Sequence, residues 1–443
     1  MPLRKFIKKG SHSDVDVDCA NVDTVDRPSK TFHVTLWDIT GLIYSIIIHI
    51  VDVAFDINVA YHYFKNKEYA YFIWTLAFML VPAVIITVLS MRMYVVDNDH
   101  SSVSRIAVQR RFLCLLVLLL QLASVIRYCD SLNYALRSRR AEKQGDRKKQ
   151  QKFYKKMLSE DSDVALLRVF ECYLESAPQQ ILQITILLLD QQSKKGSFHI
   201  LQQSLSIGSS FLAMAWCMAS YHRSIRFDQE NKNNISWMGT IVQFLWHLFV
   251  TVSRIVSISV IASIYPLWTG IGVVVHWLAM SVWIAFMSNT NFCRQSKILE
   301  CLFSAALGLV YIFNFMSVKE GPTRYYYLAF YPICFIQNIT AAAVWALEFY
   351  SVKPYVKLSK CTFYTLISVP VVSFLLGMIF MGIYYQFLHP NRRVNTKRRN
   401  GAGSPSLGGG DVEVVYTCNG SKMPEQGGGD VFNICDSAQE VRV

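Results

Sequence analysis

The sequence predicts an all-α polytopic membrane protein: eight transmembrane helices plus two re-entrant helices, in two five-segment repeats. Three observations lead there. Apolar runs of about 20 residues, the length a bilayer crossing needs, recur through the chain. Charged residues make up only 17% of the 443 residues and hydrophobic residues 52%, whereas a soluble domain carries about 25% charge. Basic residues gather in three stretches that cannot all share one side of the membrane if every apolar run crosses it.

The elements follow in order. Residues 1–35 are polar, with Asp14, Asp16, Asp18, Asp23 and Asp26 and no apolar core. They predict a disordered cytoplasmic tail rather than a cleavable signal, so the first apolar run must drive insertion itself. Ten apolar segments come next: 37–62, 69–93, 108–126, 164–189, 198–220, 239–264, 266–287, 298–316, 328–350 and 361–388. A long basic loop, 127–163, separates the third from the fourth. Residues 389–443, with glycine runs at 408–410 and 427–429, predict a second disordered cytoplasmic tail.

Lysine and arginine mark the cytoplasmic side. Arg4, Lys5, Lys8 and Lys9 mark the N-terminal tail, Arg139, Arg140, Arg147, Lys148 and Lys149 the 127–163 loop, and Arg392, Arg393, Lys397 and Arg398 the C-terminal tail. Three crossings would leave the 127–163 loop outside. The conflict disappears if the third segment enters and leaves on one side, and if the eighth does the same; both are among the shortest runs, at about 19 residues. Lys194, Lys195, Lys353, Lys357 and Lys360 then fall in outer loops, against the trend. Five segments lie in each half, 36–225 and 235–388. A short internal echo fits this duplication: Cys172-Tyr173-Leu174-Glu175-Ser176 against Cys334-Phe335-Ile336-Gln337-Asn338.

Several function classes drop out. The net charge of +13 sits beside apolar segments, where it holds topology, and does not mark a nucleic-acid binder. The eleven cysteines form no CxxC pair and no Cys/His ligand spacing, so no metal is expected. No catalytic motif and no cofactor fingerprint occurs, so no enzyme is expected. Ionisable residues inside the apolar segments are the informative ones, because each costs at least about 2.5 kcal/mol at a helix centre. Asp52 and Asp56 in the first segment, and Glu171 and Glu175 in the fourth, are each four apart and share a helix face. With Arg127 and Arg254 they predict a polar route between the halves, Arg254 acting as counter-charge. The bland reading is a buried ion-pair cluster that fixes helix register. His49, His247 and His276 are expected to be packing residues, and Pro178 to kink the fourth segment.

The acidic first segment with Asp38, Asp52 and Asp56, the run Phe170-Glu-Cys-Tyr-Leu-Glu-Ser-Ala-Pro-Gln179, Arg254 and the ending Tyr384-Tyr-Gln-Phe-Leu-His-Pro390 resemble the XK-related proteins over about residues 35–390. The resemblance implies a multi-pass plasma-membrane protein with both termini cytoplasmic. It also implies a caspase-activated phospholipid scramblase that exposes phosphatidylserine on apoptotic cells. Asp52, Asp56, Glu171, Glu175, Arg254 and Arg127 would then line the lipid path. It further implies a caspase site in one tail, after Asp26 in Asp23-Thr24-Val25-Asp26 or, alternatively, after Asp436. Cys361 would be a candidate for a disulfide to a single-span membrane partner, and a homodimer is the other assembly open. This sequence departs from the family pattern at Gln337, where a glutamate is common. The alternative function is a transporter, or a transport-regulating or structural subunit of another membrane protein.

Overall fold

A computed structural model describes residues 32–97, 122–189, 197–228, 234–287, 297–316, 324–352 and 360–390. All regular structure among them is helical: α1 (Leu36–Lys65), α2 (Tyr69–Asp97), α3 (Ala123–Lys143), α4 (Arg147–Glu171), α5 (Ala177–Leu189), α6 (Ser197–Asp228), α7 (Trp237–Ala262), α8 (Pro266–Met287), α9 (Lys297–Val310), α10 (Arg324–Val352) and α11 (Lys360–Ile383). Among the described residues, six stretches are long and apolar enough to cross a membrane: Leu36–Lys65, Tyr69–Met93, Trp237–Ala262, Pro266–Phe286, Tyr325–Glu348 and Thr362–Leu388. The chain is a multi-pass membrane protein. Residues 1–31 and 391–443, nearly all of the third apolar segment, Asp26 and Asp436 lie outside the described residues.

α7 is the central helix. It packs against α5, α6, α8, α10 and α11, while α1 touches chiefly α2 and α3. Small residues permit this crowding. Ser257 and Ser259 turn their hydroxyls back onto the carbonyls of Ser253 and Ile255, at 2.7 and 2.8 Å, so their faces need no outside partner. A Cβ at Gly377 would come within 2.8 Å of Val250 Cγ2 and 3.3 Å of Trp246 O, so the α7–α11 crossing requires glycine there.

The region expected to be a basic loop, 127–163, is instead a helical hairpin formed by α3 and α4. Its apolar positions are few, but Tyr134, Ala135, Tyr154 and Met157 converge between the two helices. Asp146 caps α4 by accepting from Lys149 N at 3.1 Å, and hydrogen bonds from Lys149 hold its carboxyl below the usual range. The residues ahead of α1 lie along this hairpin as a strap. Val34 joins its core, Gln150 Nε2 donates to Phe32 O at 3.1 Å, and His33 Nδ1 sits 2.7 Å from Glu142. Thr35 and Asp38 then close a capping box that starts α1.

Ahead of Pro178, where a kink was expected, the helix changes form. The chain widens into a π-turn over Cys172–Ser176, where Ala177 N–H reaches back to Cys172 O. The turn lies just before the proline, which has no N–H to continue the ladder. A second π-turn, Tyr384–Leu388, ends α11. There Arg226, at the end of α6, meets His389 at 3.4 Å.

The eighth apolar segment is helical only to Val310. Residues 311–316 turn and leave the helix while staying buried. Their backbone acceptors are met by side chains: Arg254 Nε on Ile312 O at 2.7 Å, His276 Nε2 at Tyr311 O at 3.2 Å, and Tyr311 Oη on Met316 O at 2.6 Å. Irregular backbone among apolar helices survives only with such internal partners.

Candidate functional site

His49, Asp52 and Asp56 are spaced three and four apart, so α1 stacks them on one face. That face meets the end of α4 and its π-turn. Glu171 lies 3.0 Å from His49 Nδ1, with Arg168 and the Ser124 hydroxyl also beside it. Glu175 and Gln179 come within hydrogen-bonding range of Asp56, and Asp52 is near enough to Glu171 to feel its charge. All four carboxylates named by their spacing are therefore brought together. The expectation that they share faces holds.

Exposure across the group is graded. Glu175 is 5% exposed and His49 2%, Asp56 is half-buried, and Asp52 stands on the open face of α1 among Val51 and Phe55. Behind the open end is a cavity of about 10 Å³, room for about one water molecule, lined by His49, Thr87, Ser124, Glu171, Glu175 and apolar residues of α2. The arrangement is a row of polar groups running from a lateral surface into the helix bundle. Such a row can replace the hydration of a charged group step by step.

The acids expected to line a route between the halves instead group within the first half, on α1, α4 and the π-turn, beside α2 and α3. The π-turn still touches both halves. Tyr173 Oη meets Thr251 Oγ1 at 3.1 Å and accepts from Asn314 Nδ2 at 3.3 Å, two residues before Glu175.

Two site residues expected in the route belong elsewhere. Arg254 is 6% exposed and far from being a counter-charge to the acids. Besides Ile312 O it holds Asn338 Oδ1 at 2.9 Å and Gln337 Oε1 at 2.5 Å, and Gln337 Nε2 in turn meets His276. With glutamine at 337, these contacts fix a guanidinium among neutral oxygens, and its fork geometry suits three separate acceptors. Arg127, fully buried, spans three helices: Glu160 at 2.9 Å, Asp163 at 3.0 Å, and the hydroxyl and carbonyl of Ser90, each at 3.0 Å. This is the ion-pair staple that the bland reading foresaw. Outside the spans nearby, burial pushes the Glu160 carboxyl up to about 7 against the pull of Arg127. Burial, opposed by a hydrogen bond from Ser131 and helped by Asp38 and Asp228, brings Asp161 to about 7.

Sequence reasoning missed two members of the cluster. His49 was expected only to pack, yet it pairs with Glu171. Arg168, beside Glu171 and Tyr128, supplies the positive charge that Arg254 does not. Its spacing was the available signal, since residue 168 is one turn from 171 on the same face. Among the described residues no group of histidine, cysteine, aspartate and glutamate could hold a metal. Cys361 lies in the first turn of α11, and its side chain is outside the described set.

Comparison with known proteins gives the family. The family model for XK-related proteins matches residues 41–390. Cell death abnormality protein 8 of Caenorhabditis elegans is 28% identical over 390 residues, covering 83% of this chain and 82% of that protein. Its Caenorhabditis briggsae counterpart is 26% identical over 393 residues, covering 85% and 83%. The family match takes in the acidic face of α1, the Glu171–Gln179 run and the closing Tyr-Gln-Phe-Leu-His-Pro, and the chain belongs to the XK-related protein family.

Proposed function

We propose that this chain is a phospholipid scramblase of the plasma membrane, activated by caspase cleavage, that exposes phosphatidylserine on apoptotic cells. The observation that carries the reading is the graded row from exposed Asp52 through Asp56 to buried Glu175. A headgroup entering from the side of the bundle meets Asp52 first, while its acyl tails stay among the exposed apolar residues of α1. A transporter for a small solute would enclose its charges; here the row opens laterally. The name of these relatives, cell death abnormality protein 8, agrees with an apoptotic setting. The process needs no nucleotide and no covalent step. The direct test is the bleaching of fluorescent lipid by dithionite in proteoliposomes, before and after protease treatment. Treated vesicles should bleach beyond the outer-leaflet half, and bleaching that stops at half under both conditions would refute scrambling.

The topology that goes with this reading has eight spans, two re-entrant segments and cytoplasmic termini, with repeats at 36–225 and 235–388. Contacts at one end of the bundle support it. The strap before α1 lies on the α3–α4 hairpin, although three apolar segments intervene, which favours a third segment without net crossing. Arg226 meets His389, although five apolar segments intervene, and that odd number favours one among them without net crossing. The short α9 with its buried irregular continuation is the natural one. A glycosylation acceptor inserted beside Arg147 is expected to stay unmodified, by gel shift, in cells that modify a control site between α1 and α2. Its modification would remove the re-entrant third segment.

Caspase control would act after Asp26 or, in the other tail, after Asp436. Expressing Asp26→Ala and Asp436→Ala separately and triggering apoptosis is expected to abolish one fragment and the phosphatidylserine exposure that accompanies it. Unchanged cleavage and exposure in both variants would point to another trigger.

A further inference from the structure

We propose that the acidic segment Asp14–Asp26 docks on the basic tip of the α3–α4 hairpin, using the strap at Phe32–Thr35 as its anchor. The strap fixes where the described chain begins. Phe32 is bonded to Gln150 and stacks edge-on against Tyr154 at 5.9 Å, while His33 holds Glu142, one residue from the end of α3. Phe32, the first described residue, therefore sits beside the tip, not at the membrane end of the hairpin.

The tip is electropositive and its own acids are already used. Arg140, Lys143, Arg147, Lys148 and Lys152 are exposed around the turn at Gln144–Asp146. Glu142 is engaged by His33, and Asp146 by Lys149 at 2.9 Å. The upstream segment carries the complementary charge, Asp14, Asp16, Asp18, Asp23 and Asp26, with no lysine or arginine between Lys9 and Arg27. Reach is ample. Asp26 is six residues from Phe32, and an extended chain spans up to about 3.3 Å per residue, or roughly 20 Å. Arg147 and Lys148 precede Gln150 by less than one helical turn, and Lys152 follows it by two residues. Tethering at Phe32 removes most of the entropy cost of bringing the charges together, so weak individual pairs act at high effective concentration.

Docking there would link the tail to α4, which runs unbroken from the tip to Glu171. Only that consequence rests on the scrambling reading; the docking itself is measured without lipid transfer. The test uses the full-length chain, purified in neutral detergent and also in phosphatidylcholine vesicles. A carbodiimide joins carboxylates to neighbouring amines, and peptide mass mapping identifies the pairs. Asp23 or Asp26 is expected to couple to Lys143, Lys148 or Lys152. Raising salt from about 0.1 to about 1 M, which cuts the screening length from about 10 to about 3 Å, should lower the yield about fivefold or more. Lys148→Glu with Lys152→Glu should lower it similarly, and adding Asp23→Lys with Asp26→Lys should restore coupling with the charges exchanged. Lys148 and Lys152 are exposed, so the variants should elute from gel filtration like the parent. Absence of tail-to-tip coupling, or coupling indifferent to salt and to charge reversal, overturns the proposal. So does coupling of the tip lysines to phosphatidylserine carboxylates in place of the tail when vesicles contain that lipid, because the tip would then be a membrane-contact surface.

Discussion

Replacing Arg254 by lysine or by methionine is expected to cost this protein its fold rather than its transport. Methionine fills a similar volume but leaves Ile312 O, Asn338 Oδ1 and Gln337 Oε1 without their donor. Each buried acceptor left unpaired costs about 1–3 kcal/mol, so the loss should be about 3 kcal/mol or more. Lysine keeps the charge, but a single ammonium cannot reach three acceptors spread around a fork. Both variants should therefore show reduced surface expression and earlier thermal unfolding in detergent. A lysine variant that reaches the surface normally and scrambles lipid would mean that the positive charge, not the fork, matters.

The opposite outcome is expected at the acidic row. Asp56→Asn combined with Glu175→Gln preserves shape and hydrogen-bonding groups while removing two charges. Lipid transfer should fall by about tenfold or more, equivalent to about 1.4 kcal/mol on the barrier. Surface level should change by less than about twofold, because amides remain able to pair and their burial is cheaper than that of carboxylates. Equal losses of transfer and surface level would mean that the row is a packing cluster. Glu171→Gln should be harsher on folding than either, since His49 and Arg168 both lean on that carboxylate.

The long apolar runs made the helical class readable, and the i,i+4 spacing of Asp52/Asp56 and Glu171/Glu175 correctly grouped the four acids. Spacing works there because the pairs lie on single helices, and one turn is a local property. The hairpin escaped notice because residues 127–163 bury few large apolar side chains. Tyr134, Tyr154 and Met157 form its core among many lysines and arginines, so composition resembles a solvated loop. Arg254 was misassigned for a different reason. Its acceptors stand 58 to 84 residues away in the chain, and nothing local to position 254 distinguishes a carboxylate partner from a carbonyl. His49 illustrates the limit of priors on isolated residues: a lone histidine in an apolar helix usually packs, but this one faces Glu171.

The irregular stretch after α9 also constrains how the protein is made. As residues 311–316 leave the ribosome, the donors for Tyr311 O and Ile312 O are on α8 and α7, helices already synthesised. The segment has no means of settling in lipid alone, since its open carbonyls would face hydrocarbon. It must be held against a waiting pair of helices. Arg254, for its part, has its amide partners Gln337 and Asn338 only after α10 emerges. The second half therefore closes in a fixed order set by chain direction, and a nascent chain halted before residue 337 would carry a guanidinium with most of its acceptors still to come.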